Sequence, residues 1–316
     1  MKGLFIINPN SGTKKIQKRV PEIVEKLLNE PDCECITMMY THGQDDALNA
    51  TRSLTPGQYD FIAAVGGDGT VNEVASGLYL SGSGIPMAII AAGTTNDFAT
   101  SLGLPRTVPE VVNMLKELRT VPMDLGHFNG RFFYNEAAGG ALSAIAHTTS
   151  SELKKRFGHL AYVGEGFRKF GDLKLSSVPL VFEMDGEEET MDTVLFTFTN
   201  TKRSGGFDKI SPDAKVNDGL FDLIVIKKVE PKEVLPLLFK ITNGAHLSNK
   251  KLVYYRQLRS LKIRAGGELP EDFPLDIDGE NGGALPMEVE VIPGAVTLII
   301  PPNSKNLRGN LYEPEA

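Results

Sequence analysis

The run Val65-Gly66-Gly67-Asp68-Gly69-Thr70-Val71-Asn72-Glu73 constrains this chain most, because it sets three glycines between an apolar strand and a helix start. Residues without side chains at such a junction let something bulky and anionic approach the backbone. Phosphate is the natural guest.

The surrounding pattern gives that junction a fold. Over the first 120 residues, apolar runs at Leu4 to Ile7, Cys35 to Tyr40, Phe61 to Val65 and Met87 to Ile90 alternate with amphipathic stretches. Ile16 to Leu28 sets Val20, Ile23, Val24, Leu27 and Leu28 on one helical face, and Asp45 to Arg52 and Thr70 to Leu80 also read as helices. This βαβα order predicts a mostly parallel sheet covered by helices, with ligands beyond the carboxyl ends of its strands. From about Val121 the runs become short and often alternating, at Val178 to Met184, Thr193 to Asn200, Leu220 to Ile226, Ser260 to Arg264 and Met287 to Ile292. Asp185-Gly186, between two of them, predicts a hairpin turn. The expected fold class is therefore α/β plus all-β, with a boundary near residues 120 to 126 and helical insertions near Glu152 to Phe170 and Pro231 to Ile241. The closing run Ala295 to Ile300 fits either domain.

A length of 316 residues suits two domains, since single cores stop growing near that size. The formal charge of −7 offers no global attraction to nucleic acid or an anionic membrane, although it permits a local basic patch. Cys33 and Cys35 are too close to staple domains and read as reduced thiols of a cytosolic protein. Leu4 to Ile7 is too short for a signal peptide and no apolar run reaches the length of a membrane span, so any lipid contact is expected to be peripheral.

Three turns fall at the carboxyl edge of the expected sheet. Asn8-Pro9-Asn10-Ser11-Gly12 ends the first strand and leads into Lys14, Lys15, Lys18 and Arg19, Gly66 to Thr70 follows the third, and Ala92-Gly93-Thr94-Thr95-Asn96-Asp97-Phe98 follows the fourth. Each joins glycine to Ser, Thr or Asn donors ahead of a helix whose free N–H groups favour anions. One such turn is an ordinary capped connection; three at one edge point to a phosphate or nucleotide cleft. There is no GxxxxGK[ST], and Gly66-Gly67-Asp68-Gly69 lacks the GxGxxG spacing of a dinucleotide fingerprint. Asp68 would repel phosphate unless a cation intervenes or its side chain turns into the loop, which leaves structural hydrogen bonding or a Mg²⁺ contact as its roles. Glu73 either orients the loop or a metal-bound water, or simply complements a helix N-terminus.

In the second part, Pro274-Leu275-Asp276-Ile277-Asp278-Gly279-Glu280 alternates, so Asp276 and Asp278 are expected on one side of a strand, opposite Leu275 and Ile277. The acidic turn from Ser211 to Asp222 offers oxygens that suit a hard cation such as Mg²⁺, against the default of an Asp-Gly turn. Lys250, Lys251, Arg256, Arg259, Lys262 and Arg264 follow one another with no acid between them. Such a run fits a lipid-headgroup surface, a nucleic-acid face or a solvated strand.

Taken in order, Asn8 to Gly12, Gly66-Gly67-Asp68-Gly69-Thr70 with Glu73, Gly93 to Phe98, Lys215-Val216-Asn217-Asp218-Gly219-Leu220 and Asp278-Gly279-Glu280 resemble the diacylglycerol kinase catalytic domain of soluble bacterial lipid kinases. The resemblance covers nearly the whole chain, whereas the GGDGT run alone would also admit the related NAD kinases. It implies an NAD-kinase-like α/β nucleotide-binding domain over residues 1–123 and a β-sandwich-like lipid-substrate domain over 124–295, with the active site in the cleft between them. The segment 296–316 is expected to return to the first domain. By the same resemblance, ATP is contacted by Asn8, Pro9, Asn10, Ser11, Gly12, Thr41, Gly66, Gly67, Asp68, Gly69, Thr70, Val71, Asn72, Glu73 and Thr94. A Mg²⁺ distinct from that of ATP is expected on the backbone carbonyls of Lys215 and Leu220 and the carboxylate of Asp218, and Asp278 matches the catalytic base. Many relatives carry proline where this chain has Ala91, so that backbone restriction is missing while Gly93 and Thr94 remain.

The implied reaction moves the γ-phosphoryl of ATP to a lipid hydroxyl, with diacylglycerol first and sphingoid or other hydroxylated lipids behind it. Leu153, Phe157, Leu160, Ala161, Val163 and Phe167, beside Lys154, Lys155 and Arg156, are candidates for an acyl-chain surface or for core packing. The alternatives are an NAD kinase and a nucleotide-binding regulator without turnover. A cytoplasmic protein transiently peripheral to the membrane, with no nucleic-acid partner and edge strands that permit a homodimer, completes the expectation.

Overall fold

Strands β1 (Lys2–Ile7), β2 (Cys35–Tyr40), β3 (Phe61–Gly66) and β4 (Met87–Ala91) form a parallel sheet in the order β4-β3-β1-β2. The computed structural model describes residues 1–12, 18–93, 96–140, 177–270, 273–302 and 311. β3 is buried along its whole length, as a strand covered on both faces must be. One face, carrying Phe5, Ile7, Phe61, Ala63 and Val65, packs under α1 (Val20–Leu28) and α5 (Val108–Glu117). The other, carrying Leu4, Ile6, Ile62 and Ala64, packs under α2 (Asp46–Arg52), α3 (Asp68–Ser81) and α4 (Asp97–Ser101). α1 buries Val20, Ile23, Val24 and Leu27, and leaves Leu28 exposed at its end.

From β1 the chain steps outward to β2 and then crosses back over β1 to β3, so the direction of winding reverses between β1 and β3. Such a reversal opens a crevice at the carboxyl ends of the strands. The loops after β1 and β3 flank it.

The rest of the described chain is β5 (Thr120–Phe128), β6 (Arg131–Phe133), β7 (Glu136–Gly140), β8 (Val178–Met184), β9 (Glu187–Thr199), β10 (Phe221–Lys227), α6 (Pro231–Asn243), β11 (Val253–Leu258), β12 (Ser260–Ala265), β13 (Leu275–Ile277), β14 (Glu280–Asn281) and β15 (Met287–Ile299). Its pairing is antiparallel, in the path β14-β13-β7-β9-β8-β12-β15. Alternation sends Phe221, Leu223 and Val225 of β10 into one cluster with Phe182, Phe196 and Phe198, and Ile224 and Ile226 into another beneath α6. The molecule thus joins a mixed α/β unit to a β-sandwich-like unit. The hairpin at Asp185-Gly186 forms as its sequence predicts, with φ of 49° and 91° and Met184 opposite Glu187.

Three features either settle alternatives that the sequence left open or differ from the sequence reading. Ala295 to Ile300 is not a separate strand, because β15 runs on from Met287 to Ile299 with a register shift between Ile292 and Val296. It pairs with β5 on both sides of that shift, so Met123, Leu125, Val296 and Leu298 enter the α/β core while Phe128, Val289 and Val291 enter the β core. The basic run is not a bare cationic face. Lys251 meets Glu233, Arg256 meets Glu187, Lys262 meets Glu183 and Glu288, and Arg264 meets Glu188. Those acids arrive from other elements and are invisible to a linear count of charge. The third feature, a departure at Asp278, belongs to the site. Cys33 and Cys35 are free thiols, and the insertion near Glu152 to Phe170 lies outside the described residues.

Candidate active site

The three polar turns interlock at the crevice. Asn8 donates its N–H to Val65 O at 2.9 Å and Ala92 donates to Gly66 O at 2.8 Å, which carries the strand pairing one step into each loop. Gly67 N–H donates to Ser11 Oγ at 3.2 Å, and Asn8 Nδ2 donates to Thr70 Oγ1 at 3.2 Å. Gly12 has φ of 54°, and a Cβ there would lie 1.8 Å from Ala92 O, so only glycine fits between the first and third loops. A Cβ on Gly93 would lie 3.2 Å from Gly67 Cα. α3 starts at Asp68 with Gly67 as an N-cap that supplies no side-chain bond, which leaves the N–H groups of its first turn to receive an anion. These residues fit the phosphates of a nucleotide.

The other expected nucleotide contacts sit nearby in different settings. Pro9 and Asn10 form the turn after β1, with Asn10 N–H held by Asn8 Oδ1 at 2.9 Å. Thr41 is buried at the end of β2 and donates its N–H to Ile7 O at 2.9 Å. Val71 faces the core. Glu73 turns to α2 and accepts N–H bonds from Asp45 and Ala47 at 3.0 Å and from Leu48 at 3.4 Å. Gly69 faces Glu280, whose Oε1 would lie 2.6 Å from a Cβ on that glycine. Thr94 lies outside the described residues.

Asp276 and Asp278 do not share one side of a strand. β13 stops at Ile277, and Asp278 turns into the left-handed region with φ of 52°, followed by Gly279 at 86°. The alternation ends because Asp278 N–H bonds Glu136 O at 2.9 Å and its carboxylate is drawn to the segment before β7. Oδ1 accepts from Asn135 N and Glu136 N at 2.9 Å each, and Oδ2 accepts from Tyr134 N at 2.9 Å and Asn72 Nδ2 at 2.8 Å. Burial pushes Asp278 up to about 7 against the pull of these donors.

Further acids converge there. Asp68 Oδ1 accepts the Tyr134 hydroxyl at 2.7 Å, which ties its carboxylate to the segment before β7. Burial, aided by Asp97 and Asp276, still raises its pKa. Asp97 is held by Arg203 Nε at 2.5 Å and Gly206 N at 3.0 Å. Glu136 accepts from Ser204 Oγ, and burial followed by the carboxyls of Asp276, Asp97, Asp278 and Asp68 lifts it well above the usual carboxylate range. Tyr134, Glu136, Arg203 and Ser204 were not legible as site residues. The available signal was Tyr134-Asn135-Glu136, a polar triplet interrupting an apolar run between Phe132 and Ala137.

The expected metal ligands lie in the turn before β10. Gly219 takes φ of 75°, Leu220 N donates to Asp218 Oδ1 at 3.1 Å, and Gly219 N donates to Asp124 Oδ2 at 2.7 Å. Burial raises Asp218, and burial with the added charge of Asp218 pushes Asp124 up to about 6. The Asp218 carboxyl in a turn of backbone oxygens fits a hard cation, while Asp124, in β5, engages both carboxylate oxygens with the N–H groups of Gly219 and Gly294. Among the described residues no group of three or more His, Cys, Asp or Glu is arranged to hold a metal. The expected set, however, takes two of its three ligands from backbone carbonyls.

Residues 2–128 match the diacylglycerol kinase catalytic domain, and residues 137–300 match the YegS C-terminal NAD kinase beta sandwich-like domain. The chain belongs to the diacylglycerol kinase family. This family member is 33% identical over 303 residues to the diacylglycerol kinase of Bacillus subtilis (strain 168), covering 94% of this chain and 95% of that one. It is 34% identical over 282 residues to the diacylglycerol kinase of Staphylococcus haemolyticus (strain JCSC1435), covering 89% and 83%. A crystal structure from Bacillus anthracis str. Sterne, which carries a provisional diacylglycerol kinase name, superposes with a TM-score of 0.78 at 27% identity, over 95% of this chain and 97% of that one. The chain is accordingly an enzyme of the lipid kinase class, and membership of a kinase family implies use of ATP. Among the described residues no helix is long and apolar enough to cross a membrane.

Proposed function

We propose that this lipid kinase transfers the γ-phosphoryl group of ATP to the hydroxyl of diacylglycerol, giving phosphatidate. The observation that carries this reading is the 2.8 Å bond between Asn72, in the first turns of α3, and Asp278. It supports a carboxylate close to the phosphate loop and on the opposite side of the crevice. Phosphoryl transfer is mainly positioning and charge stabilisation. Asn8 to Gly12, Gly66 to Thr70 and the loop from Gly93 would hold the nucleotide, with Thr41 beside them. The acceptor oxygen attacks the γ-phosphorus, the bond to the β,γ-bridging oxygen breaks, ADP leaves and the hydroxyl proton passes to Asp278. Mg²⁺, when bound, neutralises charge on the phosphates; a second ion would be held by Lys215 O, Leu220 O and the Asp218 carboxylate, ordering the acids around Asp124.

The acceptor follows the names of the relatives, two of which are diacylglycerol kinases from Bacillus subtilis and Staphylococcus haemolyticus. The same proposal assigns residues 1–123, with the return of the chain after 295, to nucleotide binding and 124–295 to the lipid, at the surface of a membrane approached from the cytoplasm. Labelled ATP offered with diacylglycerol, a sphingoid base and NAD in mixed micelles tests it. Labelled phosphatidate is expected; label appearing in NADP, or in no acceptor, sinks the reading. Asp278→Asn is expected to lower kcat by about 10²–10⁴-fold with ATP binding retained. Full turnover in that variant removes Asp278 from the proton-accepting role.

A further inference from the structure

Asn72 lies in the motif expected to touch ATP, yet its side chain is committed elsewhere. Nδ2 donates to Phe132 O at 2.8 Å and to Asp278 Oδ2 at 2.8 Å, while Oδ1 accepts from Ser76 Oγ at 2.9 Å. Both amide hydrogens and the oxygen are engaged, which fixes a single orientation of the group: its nitrogen faces two acceptors and its oxygen a hydroxyl. Ser76, one turn further along α3, acts as the brace.

The origin of the donors on Asp278 gives this arrangement its meaning. Three are backbone N–H groups of Tyr134, Asn135 and Glu136, which belong to the same β-rich part of the fold as Asp278 itself. The Asn72 amide comes from α3, whose first turn is the wall of the phosphate loop. A second route runs in parallel: Tyr134 gives its N–H to Asp278 Oδ2 at 2.9 Å and its hydroxyl to Asp68 Oδ1 at 2.7 Å, and Asp68 opens α3. The Tyr134 ring is buried and packs edge-on against Phe98 at 4.8 Å, so this strut has little freedom to swing.

We propose that Asn72 is a positioning residue of the transfer centre, which couples occupation of the phosphate loop to the alignment of Asp278 across the crevice, with Tyr134 as a second strut. The inference rests on the reading of Asp278 as proton acceptor. Phosphates drawn to the N-terminus of α3 load that helix, and the Asn72 bond carries the displacement to the carboxylate. The same bond favours the ionised acid. Burial already pushes Asp278 up to about 7, and losing one of its donors pushes it higher. Since the acid must be ionised to accept a proton, kcat rises with pH through its pKa, and removal of Asn72 moves that rise to higher pH.

Asn72→Ala, the near-isosteric Asn72→Asp and Tyr134→Phe, made in the full chain and assayed with ATP and diacylglycerol in mixed micelles, test the coupling. For Asn72→Ala, kcat is expected to fall about 10- to 100-fold with KM for ATP changed less than about twofold. The rising limb of kcat against pH should move up by about one unit, and further in Asn72→Asp, whose carboxylate faces Asp278. Tyr134→Phe should lower kcat by a smaller factor. On an Asp278→Asn background, Asn72→Ala should add no further loss, because both changes act on one group. A rise in KM for ATP with kcat and the limb unmoved would make Asn72 a nucleotide ligand and overturn the proposal. So would equal losses on the two backgrounds. Where Asn72→Ala does not fold, Ser76→Ala, which removes the brace on the Asn72 oxygen and leaves Asn72 in place, supplies the comparison: a smaller fall in kcat with the limb again moved up supports the coupling, and an unmoved limb overturns it. Turnover retained by Asp278→Asn alone removes the underlying reading, and that result is independent of any Asn72 variant.

Discussion

Gly12 and His246 illustrate how single residues enter the balance of this molecule. Gly12 combines a left-handed backbone with a carbonyl against the place where a side chain would begin. Handedness alone costs alanine about 1–2 kcal/mol there, and the clash with Ala92 O adds a forced separation of the first and third loops. Gly12→Ala is therefore expected to weaken ATP binding about tenfold or more, read by titration of a nucleotide against the folded variant. Unchanged affinity would mean that these loops do not jointly hold the phosphates. His246 is fully buried with Nε2 against Ile210 O at 2.8 Å, and burial holds its pKa below the ordinary 6.5 despite the carbonyls of Ile210 and Lys240. A folded-state value below the unfolded one means that the unfolded chain binds the proton first. Stability from this site is present above about pH 6.5 and is lost as pH falls below it. Urea midpoints between pH 7 and pH 5 should fall more steeply for the parent than for His246→Gln; parallel slopes would remove His246 as the cause.

At the scale of elements, local signals worked where the backbone answered to its own residues. The apolar runs of β1 to β4 and the Asp185-Gly186 hairpin follow from periodicity and turn chemistry. They failed where a distant partner overruled the pattern. Leu275 to Asp278 alternates like a strand, yet the N–H groups of residues 134–136 capture the Asp278 carboxylate and bend the chain out of β13. β11 was not legible because Tyr254, Tyr255, Arg256 and Gln257 are all half-buried, which blurs a period of two. Glu73 shows the same lesson between helices. It sits in α3 and caps α2, closing three N–H groups that α2 cannot satisfy itself. Glu73→Ala should lower thermal stability by about 1–3 kcal/mol, measured by calorimetry, and an unchanged melting temperature would show that water replaces the cap without loss.

For the whole molecule, β5 and β15 decide how the parts behave together. Both strands contribute side chains to the α/β core and to the β core, and they pair along most of their length. Unfolding either core must strip this shared pair, so far-UV and near-UV signals are expected to lose structure in one coincident transition; two separated transitions would show that the cores are energetically independent. The ion pairs of Arg256 with Glu187 and Arg264 with Glu188 join strands that are not hydrogen-bonded neighbours; they are exposed, worth at most about 1 kcal/mol each, and matter more for removing the cationic face that a linear reading allowed. The sequence by itself determined the alternation of strands and helices in the first sheet and the glycine-bearing turns at its edge, because periodicity and absent side chains act locally; the strand order came from the structure. It also marked Asp218 and Asp278 by their resemblance to known motifs. Only the tertiary structure decided that Glu73 braces a helix, that Tyr134 and Glu136 join the acids, and that Asn72 reaches Asp278. Those outcomes depend on which buried donors and acceptors meet across long stretches of chain, and burial forces each to find a partner that no local pattern announces.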